Sequence, residues 1–396
     1  MQGQAPRPRG LPPPDPASLA HSERVAAHLR DEMARAGGSL SFAEFMQLAL
    51  YAPGLGYYTA GSAKLGPGGD FVTAPEISPV FGRVLARQAA QVLAGLPSRQ
   101  VLELGAGSGA LAVQVLEALA EHDLAPERYA ILEVSADLRE RQEALIRRER
   151  PADLGRVEWL PALPPGFKGV VLANEVADAL PVERFRRTPA GVMQGRVRAA
   201  GDGFAWCEDA APPFLAAAVR HIEEDLGRPL PEGYVSEVAT ALPGWIAELA
   251  ASLAEGFVFL FDYGVSRREY YAPDRDGGWL RCHFRHRAHE DPLVLPGIQD
   301  ITAWVDFTAV AEAASAAGLD IAGYVTQAHF LLHGGLESEL ARASTMSTAA
   351  RLELSRQVKM LTLPGEMGEH VKCMGLRRGD VALPEAFAAA DRAHVL

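Results

Sequence analysis

VLELGAGSG, residues 101–109, is the stretch on which the fold turns. Val101, Leu102 and Leu104 around a single acid, Glu103, read as a buried strand, which Gly105, Gly107 and Gly109 then break. Apolar residues from Ala110 to Ala120 recur at helical spacing, so the expected path is strand, tight turn, helix. Glycine enters left-handed backbone conformations without steric penalty, which lets the turn bend sharply and approach a ligand closely. The following helix N terminus presents unsatisfied N–H groups to that ligand and favours a negative group on it. The next strand, 129–134, delivers Glu133, where a carboxylate accepts hydrogen bonds from both hydroxyls of a ribose. An adenosine-containing cofactor is implied.

Outward from this turn, strands and helices alternate. Strands are expected at 100–104, 129–134, 157–160, 169–173 and 256–261, with helices at 110–120, 136–148 and 306–317. That order predicts an α/β fold, a doubly wound and mainly parallel sheet. Upstream, Val25, Leu29 and Met33 mark a helix over 22–36, and Ser41 with Glu44 forms a capping box that opens another. Residues 51–79 carry too many glycines and prolines for a regular element and read as an ordered loop, either a surface cover or a segment facing a ligand. Residues 191–208 alternate between turn glycines as hairpin material. The expected organisation is a disordered Pro-rich lead (1–21), N-terminal helices with a cofactor-covering loop (22–98), and a Rossmann-like domain (99–396). Insertions fall around 190–250 and 265–305.

Composition excludes several classes. With 48% hydrophobic and 22% charged residues the chain folds, and at 396 residues it needs neither disulfide nor metal staples. A net charge of −12 argues against nucleic acid as a general partner. Cys207, Cys282 and Cys373 are far apart, and no run of 18 apolar residues suggests membrane insertion. The N terminus lacks an apolar signal core, and its prolines oppose a transit helix, so a cytoplasmic location is expected. Leu55, Tyr57 and Tyr58 either pack internally or present a homodimer surface.

The strand at 169–173 ends in Asn174-Glu175-Val-Ala-Asp178. Ligands of open α/β sheets bind beyond the carboxyl ends of the strands, which sets these groups beside the cofactor. Asn174 capping a helix, with first-turn acids behind it, is the other reading. Asp262 closes the strand at 256–261 in the same way. Cys282, His283, His286 and His289 match no standard zinc spacing and sit among arginines, so the stretch reads as a solvated basic loop and no metal is expected. Gly105-x-Gly107-x-x-Ala110 also satisfies a dinucleotide fingerprint, which keeps an NAD-dependent oxidoreductase open. The close spacing of Gly109 and the preceding Glu103 lean towards S-adenosylmethionine.

Several segments together resemble the MidA-type methyltransferases: GGDFVTAPEISPVFG (68–82), LELGAGSG (102–109), ANEVADALPVERF (173–185), FDYG (261–264), 278–307 and LTLPGEMGEHVKCMGL (361–376). The resemblance runs from about residue 22 to 380 in one order. It implies a class I methyltransferase fold and an S-adenosylmethionine-dependent protein arginine methyltransferase. Mitochondrial members modify a core subunit of respiratory complex I and assist its assembly. Carried over, Glu103, Gly105, Gly107, Gly109, Glu133 and Asn174 hold the cofactor, and Gly69, Asp70 and Phe71 close over it, with Glu76 nearby. Glu175 and Asp178, with Glu76 as a third candidate, orient the guanidinium and help remove its proton. Val176, Ala177 and His283 depart from the family pattern, and the first two keep a non-catalytic assembly protein that binds the cofactor as the alternative.

Overall fold

The computed structural model describes residues 10–60 and 72–396. It divides the chain into two units. One is built from Val72–Val176, Pro243–Val265 and Phe307–Leu396. Its sheet contains β1 (Gln100–Leu104), β2 (Arg128–Leu132), β3 (Val157–Leu160), β4 (Phe167–Asn174), β5 (Leu253–Val265), β6 (Asp320–Thr326) and β7 (Val371–Arg378). The order is β3-β2-β1-β4-β5-β7-β6. Strands β3 to β5 along that path pair in parallel, whereas β7 runs antiparallel to both β5 and β6. This is the doubly wound Rossmann-like sheet of class I methyltransferases, with its reversal point between β1 and β4.

Burial explains the strand composition. Val170, Val171, Leu172 and Ala173 of β4 and Phe257 through Phe261 of β5 are almost wholly covered, as central strands with helices on both faces must be. Helices α1 (Pro79–Leu93), α2 (Ala110–Glu121) and α3 (Ala136–Glu149) lie in this unit. Phe81 of α1 meets Phe261 edge to face at 5.1 Å. Gly82 of α1 donates its N–H to Gln114 of α2, a contact with no room for a side chain at that glycine.

The other unit gathers residues 10–60 with Ala177–Leu242 and Ser266–Asp306. Its first helix runs Pro16–Arg35, six residues earlier than periodicity indicated, because Asp15 accepts the N–H groups of Ala17 and Ser18 and Pro16 occupies the first turn. The second helix, Phe42–Tyr51, opens on the expected capping box between Ser41 and Glu44. Gly191–Ala200 and Gly203–Ala210 form the expected hairpin. Along its other edge Gly191–Ala200 pairs first with Glu183–Thr188, which leads on to Val235–Val238, and then with Ser39–Ser41. Tyr57 and Tyr58 pack internally with Val25, Phe45 and Leu280 rather than presenting a surface.

The stretch 280–289 is not a solvated loop. Leu280–Phe284 and Arg287–His289 make a hairpin, and Asp300–Ala303 adds a third strand. Leu280, Cys282 and Phe284 alternate inward, and Arg285 and His286 both adopt left-handed conformations at the two-residue turn. Among the described residues, no helix is long and apolar enough to cross a membrane.

Candidate active site and family

The glycine turn follows β1 in the sheet unit. Gly105, Gly107 and Gly109 all have positive φ, at 62°, 54° and 86°. Gly109 caps α2 in the left-handed region, and a Cβ there would stand 3.2 Å from the Cα of Gln142. No other residue fits that position without strain. Gly105 donates its N–H to the Leu132 carbonyl, which ties the turn to the end of β2.

Glu133 directly follows β2 and is 5% exposed. Its Oε1 accepts the Ser135 N–H at 3.0 Å, and its Oε2 accepts the Gln142 amide at 3.0 Å. A carboxylate has about four lone-pair sites, so these donors leave acceptor capacity for a ribose hydroxyl. The set fits an adenosyl ribose: a glycine cradle without side chains and an adjacent acid with spare acceptors. Burial raises the Glu133 pKa, so donors aimed at its charged form have a large effect. Glu103 serves differently. It is 2% exposed inside β1 and accepts the Tyr129 hydroxyl at 2.5 Å, and burial lifts its pKa to about 7.

The ends of β4 and β5 carry a group of acids in the same unit. Glu175 is half-buried and holds a left-handed backbone conformation, φ 54°, that non-glycine residues seldom take. Its N–H donates to the Phe261 carbonyl at 2.8 Å. Burial, then the charge of Asp262, pushes the Glu175 pKa up to about 8, against hydrogen bonds from Asn174 and the Ala74 N–H; Glu76 raises it further. Asp262 is wholly buried and accepts the N–H groups of Val176 and Tyr263. Glu76 accepts the Thr73 N–H in the short helix Ala74–Ile77. Asn174 donates to Glu175 at 3.2 Å, while its own Oδ1 is buried without a hydrogen-bond partner among the described residues.

Asp178 belongs to the other unit, whose boundary falls between Val176 and Ala177. It is 7% exposed, and its carbonyl accepts the Ala303 N–H. Its charge, with that of Asp300, acts on Tyr58, whose hydroxyl donates to Asp300 at 2.8 Å. The structure thus brings Glu175, Glu76, Asp262 and Asn174 into one unit and assigns Asp178 to a second acidic setting. Gly69, Asp70 and Phe71 lie outside the described residues. Gln142, missed in the sequence, sits mid-helix where nothing local marks it as more than a buried polar residue.

A family model described as "Putative S-adenosyl-L-methionine-dependent methyltransferase" matches residues 84–325, more than half of the chain. The mitochondrial protein arginine methyltransferase NDUFAF7 of Mus musculus is 30% identical over 386 residues, covering 88% of this chain and 84% of that protein. Its Danio rerio counterpart is 29% identical, covering 89% and 86%. A crystal structure from Burkholderia thailandensis, bound to S-adenosyl-homocysteine, is 42% identical with a TM-score of 0.93, covering 98% of this chain and all of that one.

The curated relatives are mitochondrial by name, which overturns the expected cytoplasmic location. Prolines and a missing apolar run describe a terminus and do not report a compartment. S-adenosylmethionine is the cofactor, and the nicotinamide alternative falls. A sheet of this order, a glycine cradle beside a ribose-competent acid, and likeness along nearly the whole length agree: the chain belongs to the MidA-type family of S-adenosylmethionine-dependent methyltransferases.

Proposed function

We propose that the chain transfers methyl groups to an arginine side chain of a protein. The observation that carries this reading is Glu175, a strained carboxyl at the end of β4 whose pKa is pushed up to about 8 by burial first and then by the charge of Asp262. Backbone strain and a raised carboxyl pKa both concentrate where a chain does chemistry. The curated relatives' names as protein arginine methyltransferases support the same acceptor.

Gly105, Gly107, Gly109, Glu133 and Asn174 would hold S-adenosylmethionine, with Glu103 fixing the strand behind them. When bound, it supplies an electrophilic methyl group on a sulfonium. The chain's own task is the guanidinium, whose pKa above about 12 leaves little free electron density at nitrogen. Glu175 accepts two guanidinium N–H groups in a fork, concentrates the positive charge away from the reacting nitrogen and takes its proton. An approaching cation favours the charged carboxylate, so Glu175 releases its own proton as the acceptor binds. Glu76 is a further carboxylate for the same group, and Asp178, three residues along the chain, is proposed as another. The acceptor protein in this reading is a core subunit of a respiratory dehydrogenase of the complex I type.

The test is incubation of the purified chain with labelled S-adenosylmethionine and an extract of the host lacking its gene, followed by mass spectrometry. A labelled protein carrying methylarginine is expected, and the same mark should vanish from the deleted host. Cofactor binding with no labelled protein would favour the assembly-protein alternative.

A further inference from the structure

We infer that Gln142 is a positioning residue for the cofactor, joining Glu133 to the glycine turn, with Trp159 fixing the direction its amide faces. The inference rests on the reading that Glu133 and the turn hold S-adenosylmethionine. Gln142 lies on α3 and is completely buried. Its Nε2 donates to the Gly107 carbonyl at 2.9 Å and to Glu133 Oε2 at 3.0 Å. Its Oε1 accepts the Trp159 indole N–H at 2.9 Å.

The types of these neighbours determine the amide orientation. An indole N–H only donates, whereas a carbonyl and a carboxylate only accept. Reversing the amide would set its oxygen against two acceptors and its NH2 against a donor. One rotamer therefore satisfies all three contacts, and it links β3 through Trp159, β2 through Glu133 and the turn through Gly107. The Gln142 backbone is also the surface against which Gly109 packs. Ser135 holds the other Glu133 oxygen, and Arg139 donates to the Glu133 carbonyl at 2.7 Å. With both carboxylate oxygens fixed, the remaining lone pairs have set directions. Positioning of this kind supports binding without any contact between Gln142 and the ligand.

The experiment measures S-adenosylhomocysteine affinity of the full chain by calorimetry, and KM and kcat with S-adenosylmethionine. The proteins are wild type, Gln142→Leu, the isosteric Gln142→Glu, Glu133→Ala, and Glu133→Ala combined with Gln142→Leu, each checked for folding by circular dichroism. Loss of a hydrogen bond to a charged group predicts affinity weaker by about tenfold or more in both Gln142 variants. KM should rise while kcat at saturation holds. In the double variant the Leu substitution should add less than it costs in the wild-type background, because part of its effect runs through that carboxylate and the rest through the Gly107 carbonyl. Wild-type affinity in a folded Gln142 variant, or losses that simply add in the double variant, would overturn the inference. Wild-type affinity in Glu133→Ala would instead overturn the underlying reading.

Discussion

Glu175→Gln should make the protein more stable at alkaline pH while disabling it. Burial and the neighbouring acids move this carboxyl from 4.5 to about 8 in the folded chain. Below pH 4.5 it is protonated whether folded or not, and ionisation leaves stability untouched. Between 4.5 and 8 the unfolded chain releases the proton that the folded chain retains, so stability falls as pH rises through that window. At about 1.4 kcal/mol per pH unit, the full effect above pH 8 has a ceiling of about 5 kcal/mol. Glutamine keeps the shape, still accepts the Ala74 N–H, and offers Asp262 a donor in place of a like charge. Urea unfolding of wild type and variant at pH 5 and pH 8.5 reads the difference. The variant should gain a few kcal/mol at pH 8.5 and little at pH 5, while single-turnover methylation falls about a hundredfold or more. An equal gain at both pH values, or undiminished methylation with cofactor affinity intact, refutes the reasoning.

Gly109→Ala forces a side chain into the left-handed region against Gln142, which should destabilise the protein by about 2 kcal/mol and weaken S-adenosylhomocysteine binding measured by calorimetry. Arg267 is almost wholly buried and bonds Asp306 at 3.1 Å. Arg267→Met should therefore cost about 3–5 kcal/mol in urea unfolding, because it breaks a buried ion pair. Ser41→Ala removes one half of the capping box and should lower stability by about 1 kcal/mol, leaving cofactor affinity unchanged.

The sheet was legible because its strands carry runs such as VVLA and FVFLF, whose shortness, bounding glycines and β-branched or aromatic content mark buried strands rather than helices. The glycine turn and Glu133 were legible for a similar reason, since backbone demand and ribose chemistry both act locally. What escaped the sequence is what depends on distant pairing. Arg285 and His286 form a hairpin turn that Asn-Gly would normally signal, so the stretch looked like a charged loop. Asp178 stands close to Glu175 along the chain, yet the division between Val176 and Ala177 assigns it to another unit with Tyr58 and Asp300. Asp262 was visible as a strand-end acid. Its effect on Glu175 needed the register of β4 against β5, where Asn174 pairs with Phe261.

The antiparallel strand β7 has a consequence for biogenesis. It enters between β5 and β6, both of which precede it in the chain. Until residues 371–378 leave the ribosome, β5 and β6 each expose a bare row of N–H and C=O groups flanked by phenylalanines and valines. Such edges recruit other strands, including those of neighbouring nascent chains. Synthesis of this protein therefore passes through a late sticky interval, and overproduction at high temperature should load inclusion bodies unless a holdase guards that gap.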